Sequence, residues 1–188
     1  MLAGGTVRFG SVRSVVTQRL VLRPWTEEDR AAWLELATNP SVVAHICTGT
    51  PPPEAVIDER LKQAMEPTEG PGVFACEQLD EPGLVIGLVG FASPTFLPEL
   101  QPVSEIEWRF LPDYWGRGFG TESAAAALSW AFNADLLNRV VACVQPADRR
   151  SAAVAERLGM KPLFRTLVPH CPRWTDVFEL TSDLWDQE

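Results

Sequence analysis

Three charged side chains recur at every second position of the segment EIEWR: Glu105, Glu107 and Arg109. In an extended strand that spacing places all three on one face. Paired carboxylates on one face can take up and pass on a proton, and the same pattern also describes a solvated strand face with an Arg109 ion pair. Just downstream, after Pro112, come Gly116, Gly118 and Gly120 and then an alanine-rich run. Glycines leave the backbone open. A helix starting there would aim unpaired N–H groups and its positive dipole end into the same space, which suits a phosphate. A tight strand-to-helix connection would need the same glycines. A further pair, Asp148 and Ser151, has the N-cap and N3 spacing of a helix start, so the serine hydroxyl reads as a capping group or as a proton donor to a ligand.

Two well-known phosphate loops are excluded by spacing. A dinucleotide fingerprint needs a third glycine in the sixth position, which Thr121 occupies when counted from Gly116, and no acidic ribose partner follows at the required distance. A Walker loop ends in Gly-Lys-Ser/Thr, and that triplet is absent from the chain. Cys47, Cys76, Cys143 and Cys171 are widely spaced and are expected to be buried free thiols. With only His45 and His170 to add, no metal site is expected. Cys143 lacks a nearby histidine to activate it and reads as a core thiol.

These residues need elements to position them. At 188 residues the chain suits one domain, 1–188, with residues 1–16 as an N-terminal arm. The segment 19–23 alternates as a strand does. A helix is expected from Thr26, capped with Asp29, to Asn39-Pro40, and a second amphipathic helix over Glu54–Met65. Strands are expected at 73–77 and 84–92 around the turn Glu81-Pro82-Gly83, forming a hairpin. There follow the strand bearing Glu105, a helix over 120–133, a strand over 140–144, a helix over 148–158 stopped by Gly159, and strands at 164–168 and 174–180. A hairpin followed by a βαβ crossover makes an α/β fold with a mixed sheet. The net charge of −9 argues against a nucleic-acid or anionic-membrane surface. Neither a membrane span nor a secretory leader is expected, since Arg8 and Arg13 break the first apolar run, and the cytoplasm is the expected location.

The passage DYWGRGFGTES, preceded by EIEWRFLP and followed by PADRRSAAVAERLGM, resembles the GNAT superfamily of acyl-coenzyme A dependent N-acyltransferases. It is most similar to the Rim-type branch of protein N-terminal acetyltransferases. Gly118 and Gly120 stand at the two small positions of the family turn, and Trp115 stands where Gln or Arg is commonest. The resemblance runs from TQRLVLRPWTEED to Gly159. It implies a mostly antiparallel central sheet splayed at its middle, helices on both faces, and acetyl-CoA as co-substrate.

By the same resemblance, strand 106–111, with Trp108, Arg109 and Phe110, would pair its free backbone with the pantetheine arm, and an N–H near Trp108 or Arg109 would polarise the thioester carbonyl. Backbone groups of Trp115, Gly116, Arg117, Gly118, Phe119, Gly120 and Thr121 would hold the pyrophosphate. Glu105 matches a glutamate of the Rim-type branch and is the preferred base, with Glu107 beside it in place of a common glycine. Ser151 matches a family serine that serves the leaving thiolate, with Asp148 where asparagine is usual. The expected activity is direct transfer of acetyl to a primary amine, either a protein N-terminus or a small amine. A non-catalytic acyl-CoA-binding module is the alternative. The C-terminal strands offer a surface for a homodimer.

Overall fold

The computed structural model describes residues 6–9, 12–46, 49–66, 71–169, 171 and 173–185. Among these residues nine strands form one sheet in the order β1-β2-β3-β4-β5-β6-β7-β9-β8. They are β1 (Thr6–Phe9), β2 (Val12–Val16), β3 (Leu20–Arg23), β4 (Val73–Gln78), β5 (Val85–Ala92), β6 (Ser104–Phe110), β7 (Arg139–Val144), β8 (Lys161–Leu167) and β9 (Trp174–Thr181). Every pairing is antiparallel except β6 with β7, which the intervening helix makes parallel. The helices are α1 (Arg30–Thr38), α2 (Pro40–Val43), α3 (Glu54–Met65), α4 (Phe119–Asn133), α5 (Arg149–Arg157) and α6 (Ser182–Trp185). Residues 6–9 and 12–16, expected to be an arm, lengthen the sheet instead.

The two faces of the sheet follow from side-chain alternation. On β6, Ile106 and Phe110 are buried with Trp108 beside them, against Phe119, Ala124, Ala127, Leu128 and Ala131 of α4 and Ala155 of α5. Alanines on that face let α4 lie close to the strands, and Leu128 fills the remaining depth with no exposed surface. The opposite face packs Ala75, Val85 and Leu88 against Trp25, Leu36 and Leu61 under α1 and α3. Glu105, Glu107 and Arg109 have the parity of that second face. An extra residue in β5, where the register shifts at Cys76/Glu77, puts Ile86 and Leu88 into opposite cores.

Local chemistry sets the element ends. Thr26 opens a 3₁₀ turn (Glu27–Asp29) ahead of α1; its N–H and hydroxyl both donate to the Asp29 carboxylate, at 2.8 and 2.9 Å. Burial raises the Asp29 pKa, but Arg23, bonded to both its oxygens at 2.7 and 2.9 Å, and Thr26 outweigh this and leave it lowered. The same Arg23 reaches Glu77 on β4, so one guanidinium ties β3 to β4 and to the 3₁₀ turn. Cys76 is a buried free thiol as expected; Cys143 is free but half-buried and lines a cleft rather than sitting in the core, and Cys171 is disulfide-bonded, while Cys47 and His170 lie outside the described residues. Among the described residues the edge strand β8 pairs only with β9 and leaves Leu163, Phe164 and Leu167 exposed. Among the described residues no helix is long and apolar enough to cross a membrane.

Leu128→Ala removes a fully buried side chain from the α4 contact, and equilibrium urea unfolding is expected to show a loss of about 3 kcal/mol.

Candidate functional site

Strand β6 is paired along its length with β5, from Glu105 opposite Ala92 to Phe110 opposite Gly87. Its pairing with β7 stops after two residues, Ser104 with Val140 and Glu105 with Val141. Beyond Glu105 the two strands part, the splay that the resemblance implied. The Leu111 N–H donates to Ile86 O at 3.0 Å, so by antiparallel alternation Arg109 also faces β5. The backbone groups of Trp108 therefore face the gap, whereas the Ile106 N–H belongs to the last pair of the β6–β7 ladder, since Glu105 turns its own groups to β5. Of the two amides named from the sequence as carbonyl polarisers, Trp108 is open and Arg109 is engaged in the ladder.

The glycine turn lies at the far end of this gap. Gly116 and Gly118 have φ of 72° and 84°, left-handed values that side chains other than glycine resist. Gly118 is the N-cap of α4, and among the described residues no side chain caps that helix. Its first ring closes from Glu122 N–H to Gly118 O at 3.0 Å, leaving the N–H groups of Phe119, Gly120 and Thr121 at the open end. Gly120 differs from the other two. It is already helical, and a Cβ there would meet only Val154 and Trp108 at ordinary contact distances of 3.5 and 3.8 Å. The three glycines read as one cradle in the sequence are thus two turn formers and one packing position.

Arginine 19, which the sequence reading did not single out, braces the turn. Its Nη1 donates to Arg117 O at 2.9 Å, its Nε to Glu122 Oε2 at 2.7 Å, and its guanidinium carbon stands 4.5 Å over the Phe119 ring. The Thr17 hydroxyl and the Arg19 N–H both donate to Glu122 Oε1, at 2.7 and 2.9 Å. Trp115 has a comparable role on the other side. Its indole N–H donates to Phe110 O at 2.6 Å and its ring receives the Arg150 guanidinium at 3.8 Å, so it links the free end of β6 to α5. Arg117 sits 5.0 Å over Phe119 and 5.6 Å over Tyr114.

The carboxylates are distinguished by their partners. Glu107 is paired with Arg109 at 2.6 Å. Among the described residues Glu105 has no such ion-pair partner; burial first, and then the Glu107 charge, push its pKa up to about 8, against a smaller pull from the Cys143 thiol and Arg109. The Cys143 thiol is itself pushed up, by burial and by Glu105. Asp148 caps α5 by accepting the Ser151 N–H at 3.1 Å, and it also accepts the Ser151 hydroxyl at 2.8 Å. Among the described residues no group of three or more His, Cys, Asp or Glu side chains could hold a metal ion.

A cleft of 1710 Å³ spans both sides of the gap. Its α4–α5 wall includes Trp115, Gly116, Gly118, Phe119, Gly120, Thr121, Asp148 and Ser151, and its other wall includes Glu105, Glu107, Arg109 and residues of α1 and α3. Trp108 and Phe110 line it as well, and Arg117 alone of the sequence candidates does not. Neither Trp174 nor Trp185 borders the cleft: Trp174 is exposed, and Trp185 packs on Phe132.

Residues 19–161 match the Acetyltransferase (GNAT) domain, and the chain belongs to that family. It is 27% identical over 172 residues to the uncharacterized N-acetyltransferase YnaD of Bacillus subtilis (strain 168), covering 87% of this chain and 93% of that one. An acetyltransferase (GNAT family) structure from Bacillus anthracis superposes with a TM-score of 0.74 at 21% identity, over 90% of this chain and 99% of the other. Spermidine N-acetyltransferase from Vibrio cholerae, in complex with CoA and spermine, superposes with a TM-score of 0.72 at 15% identity, over 88% and 98%. The fold is therefore that of the GNAT acetyltransferases.

The raised Glu105 pKa has a consequence for stability. Between pH 4.5, its ordinary value, and about 8, the folded carboxyl keeps a proton that the unfolded chain has released, so stability contributed at low pH is lost as pH rises through that window. Urea unfolding of the wild type and of Glu105→Gln at pH 5 and pH 9 is expected to show the variant gaining on the wild type at the higher pH. An equal difference at both pH values would contradict it.

Proposed function

We propose that this chain transfers an acetyl group from acetyl-CoA to a primary amine by direct attack, with donor and acceptor held together in the cleft. The observation that carries the reading is the position of Glu105. It is the last β6 residue paired to β7, so its carboxyl stands where the gap opens, in a cleft that continues to the uncapped end of α4.

The residues present fit such a donor. The left-handed glycines and the free N–H groups of Phe119, Gly120 and Thr121 match a pyrophosphate, with Arg117 and Arg150 as nearby charge. The open edge of β6 matches an amide-bearing arm that adds as a strand would. When bound, acetyl-CoA supplies an acetyl group already activated as a thioester. The Trp108 N–H, turned into the gap, is the donor available to an acyl oxygen. Glu105 removes the proton of the amine; near pH 8 its carboxyl is basic enough to compete for it and still ionised in part. Glu107, held by Arg109, keeps a second negative charge beside it that favours a cationic acceptor at the entrance. Ser151 is the proposed proton source for the leaving group, once its hydroxyl turns away from Asp148.

The acceptor is proposed as a protein N-terminus, by the Rim-type likeness, or as a small amine, by likeness to a neighbour solved with spermine. A homodimer paired along the β8 edge belongs to the same reading, supported by its exposed apolar side chains, and sedimentation equilibrium showing a monomer removes it. A binding-only module is the second reading. It is favoured by the commitment of the Ser151 hydroxyl to Asp148, which leaves no acid ready in the resting arrangement.

Thiol release from acetyl-CoA in the presence of peptide and small-amine panels tests the proposal. Acceptor-dependent release is expected, with kcat/KM rising with pH through about 8 as Glu105 ionises, and Glu105→Gln lowering kcat about a hundredfold while coenzyme A affinity holds. Coenzyme A binding without release in any panel would favour the binding module. Gly118→Val puts a branched side chain at φ 84° beside Arg19, and calorimetry is expected to show coenzyme A binding weakened about tenfold or more.

A further inference from the structure

We propose that the acceptor is an extended amine with an apolar group about 10 Å from its nitrogen, and that this group enters a second cavity beyond Arg109. The inference rests on Glu105 receiving the amine, as proposed above. The second cavity, of 380 Å³, lies among α1, α3 and residues 50–53. It shares Trp33, Ile46, Arg60, Leu88 and Arg109 with the large cleft, so the two adjoin along the face of β6 that carries Glu105.

Spacing along that face sets the length of the acceptor. From Glu105 to Arg109 the strand advances about 13 Å, so an amine at Glu105 reaches the cavity only if its apolar group is set well apart from it. A compact amine would occupy the carboxylate end alone. In an extended peptide two steps of about 3.3–3.6 Å, together with the ~5 Å reach of a large side chain, cover about 12 Å, so its third side chain would arrive at the cavity. The walls suit an apolar occupant of fixed shape. Leu36, Ile57 and Leu88 are buried, and Trp33 is immobilised by its N–H bond to Ile57 O at 3.0 Å and by an edge contact with Trp25 at 4.8 Å. The charged residues lining it are Arg60 and Arg109, and the Arg109 guanidinium is paired with Glu107. The volume lies at the small end of ligand pockets, the size of a side chain rather than a whole cofactor.

Isomeric tripeptide amides separate this inference from the reading beneath it. Gly-Gly-Phe is expected to have a kcat/KM about tenfold or more above both Phe-Gly-Gly and Gly-Gly-Gly. Ala37→Phe fills the second cavity without entering the large cleft, and it is expected to bring the Gly-Gly-Phe to Gly-Gly-Gly ratio towards one. Equal rates for the three peptides, a preference for Phe-Gly-Gly, a ratio untouched by Ala37→Phe, or acetylation of spermidine with none of the peptides would each overturn the inference and leave acetyl transfer standing. Failure to bind coenzyme A in calorimetry would overturn the proposed function itself.

Discussion

The parting of β6 from β7 after Glu105 is the constraint on which the rest of the structure depends. A strand in the middle of a sheet ordinarily spends both edges on neighbours, and here one edge is left open beyond the Glu105–Val141 pair. Backbone groups so exposed must find water or a ligand, because a dry, unpaired N–H or carbonyl is costly. The gap is held from both sides. Uninterrupted pairing with β5 fixes one edge, while Trp115 occupies the Phe110 carbonyl and anchors the free end towards Arg150 on α5.

Because the gap crosses the sheet, two surfaces that would otherwise be separate share one cleft. The α4 side offers backbone N–H groups and arginines, and the α1–α3 side offers carboxylates with an apolar recess beyond them. Glu105 stands at the vertex. Its neighbours explain its character: burial and Glu107 hold the proton on, while Arg109 is drawn to Glu107 and compensates only in part. Two carboxylates on one strand face therefore differ, one as an ion pair and one as a poised base in the proposed reaction.

Much of this was legible in the sequence where the deciding physics is local. The α3 boundaries, Glu54 and Met65, follow from amphipathic spacing, and the Thr26–Asp29 capping box from residue types three apart. The shared face of Glu105, Glu107 and Arg109 follows from strand period alone. Interactions distant along the chain left no such trace. Arg19 and Glu122 meet across 103 residues, and nothing in either segment announces the partner. Trp115 stood out as a departure from the family turn, but its reason, a bond to Phe110 and a guanidinium from Arg150, needs α5 in place. Residues 12–16 were read as part of an arm, and their strand character is set by pairing with β3, a partner the local sequence does not announce. The Cys171 disulfide was likewise invisible, since spacing alone does not report proximity.

Amide hydrogen exchange along β6 tests the central claim most directly. The Arg109 N–H, bonded into β5, should be protected with or without ligand, whereas that of Trp108 should exchange faster in the free protein and slow markedly when coenzyme A is added. Equal protection of Trp108 and Arg109 in the free protein, or no slowing with coenzyme A bound, would contradict an open strand edge that receives the donor.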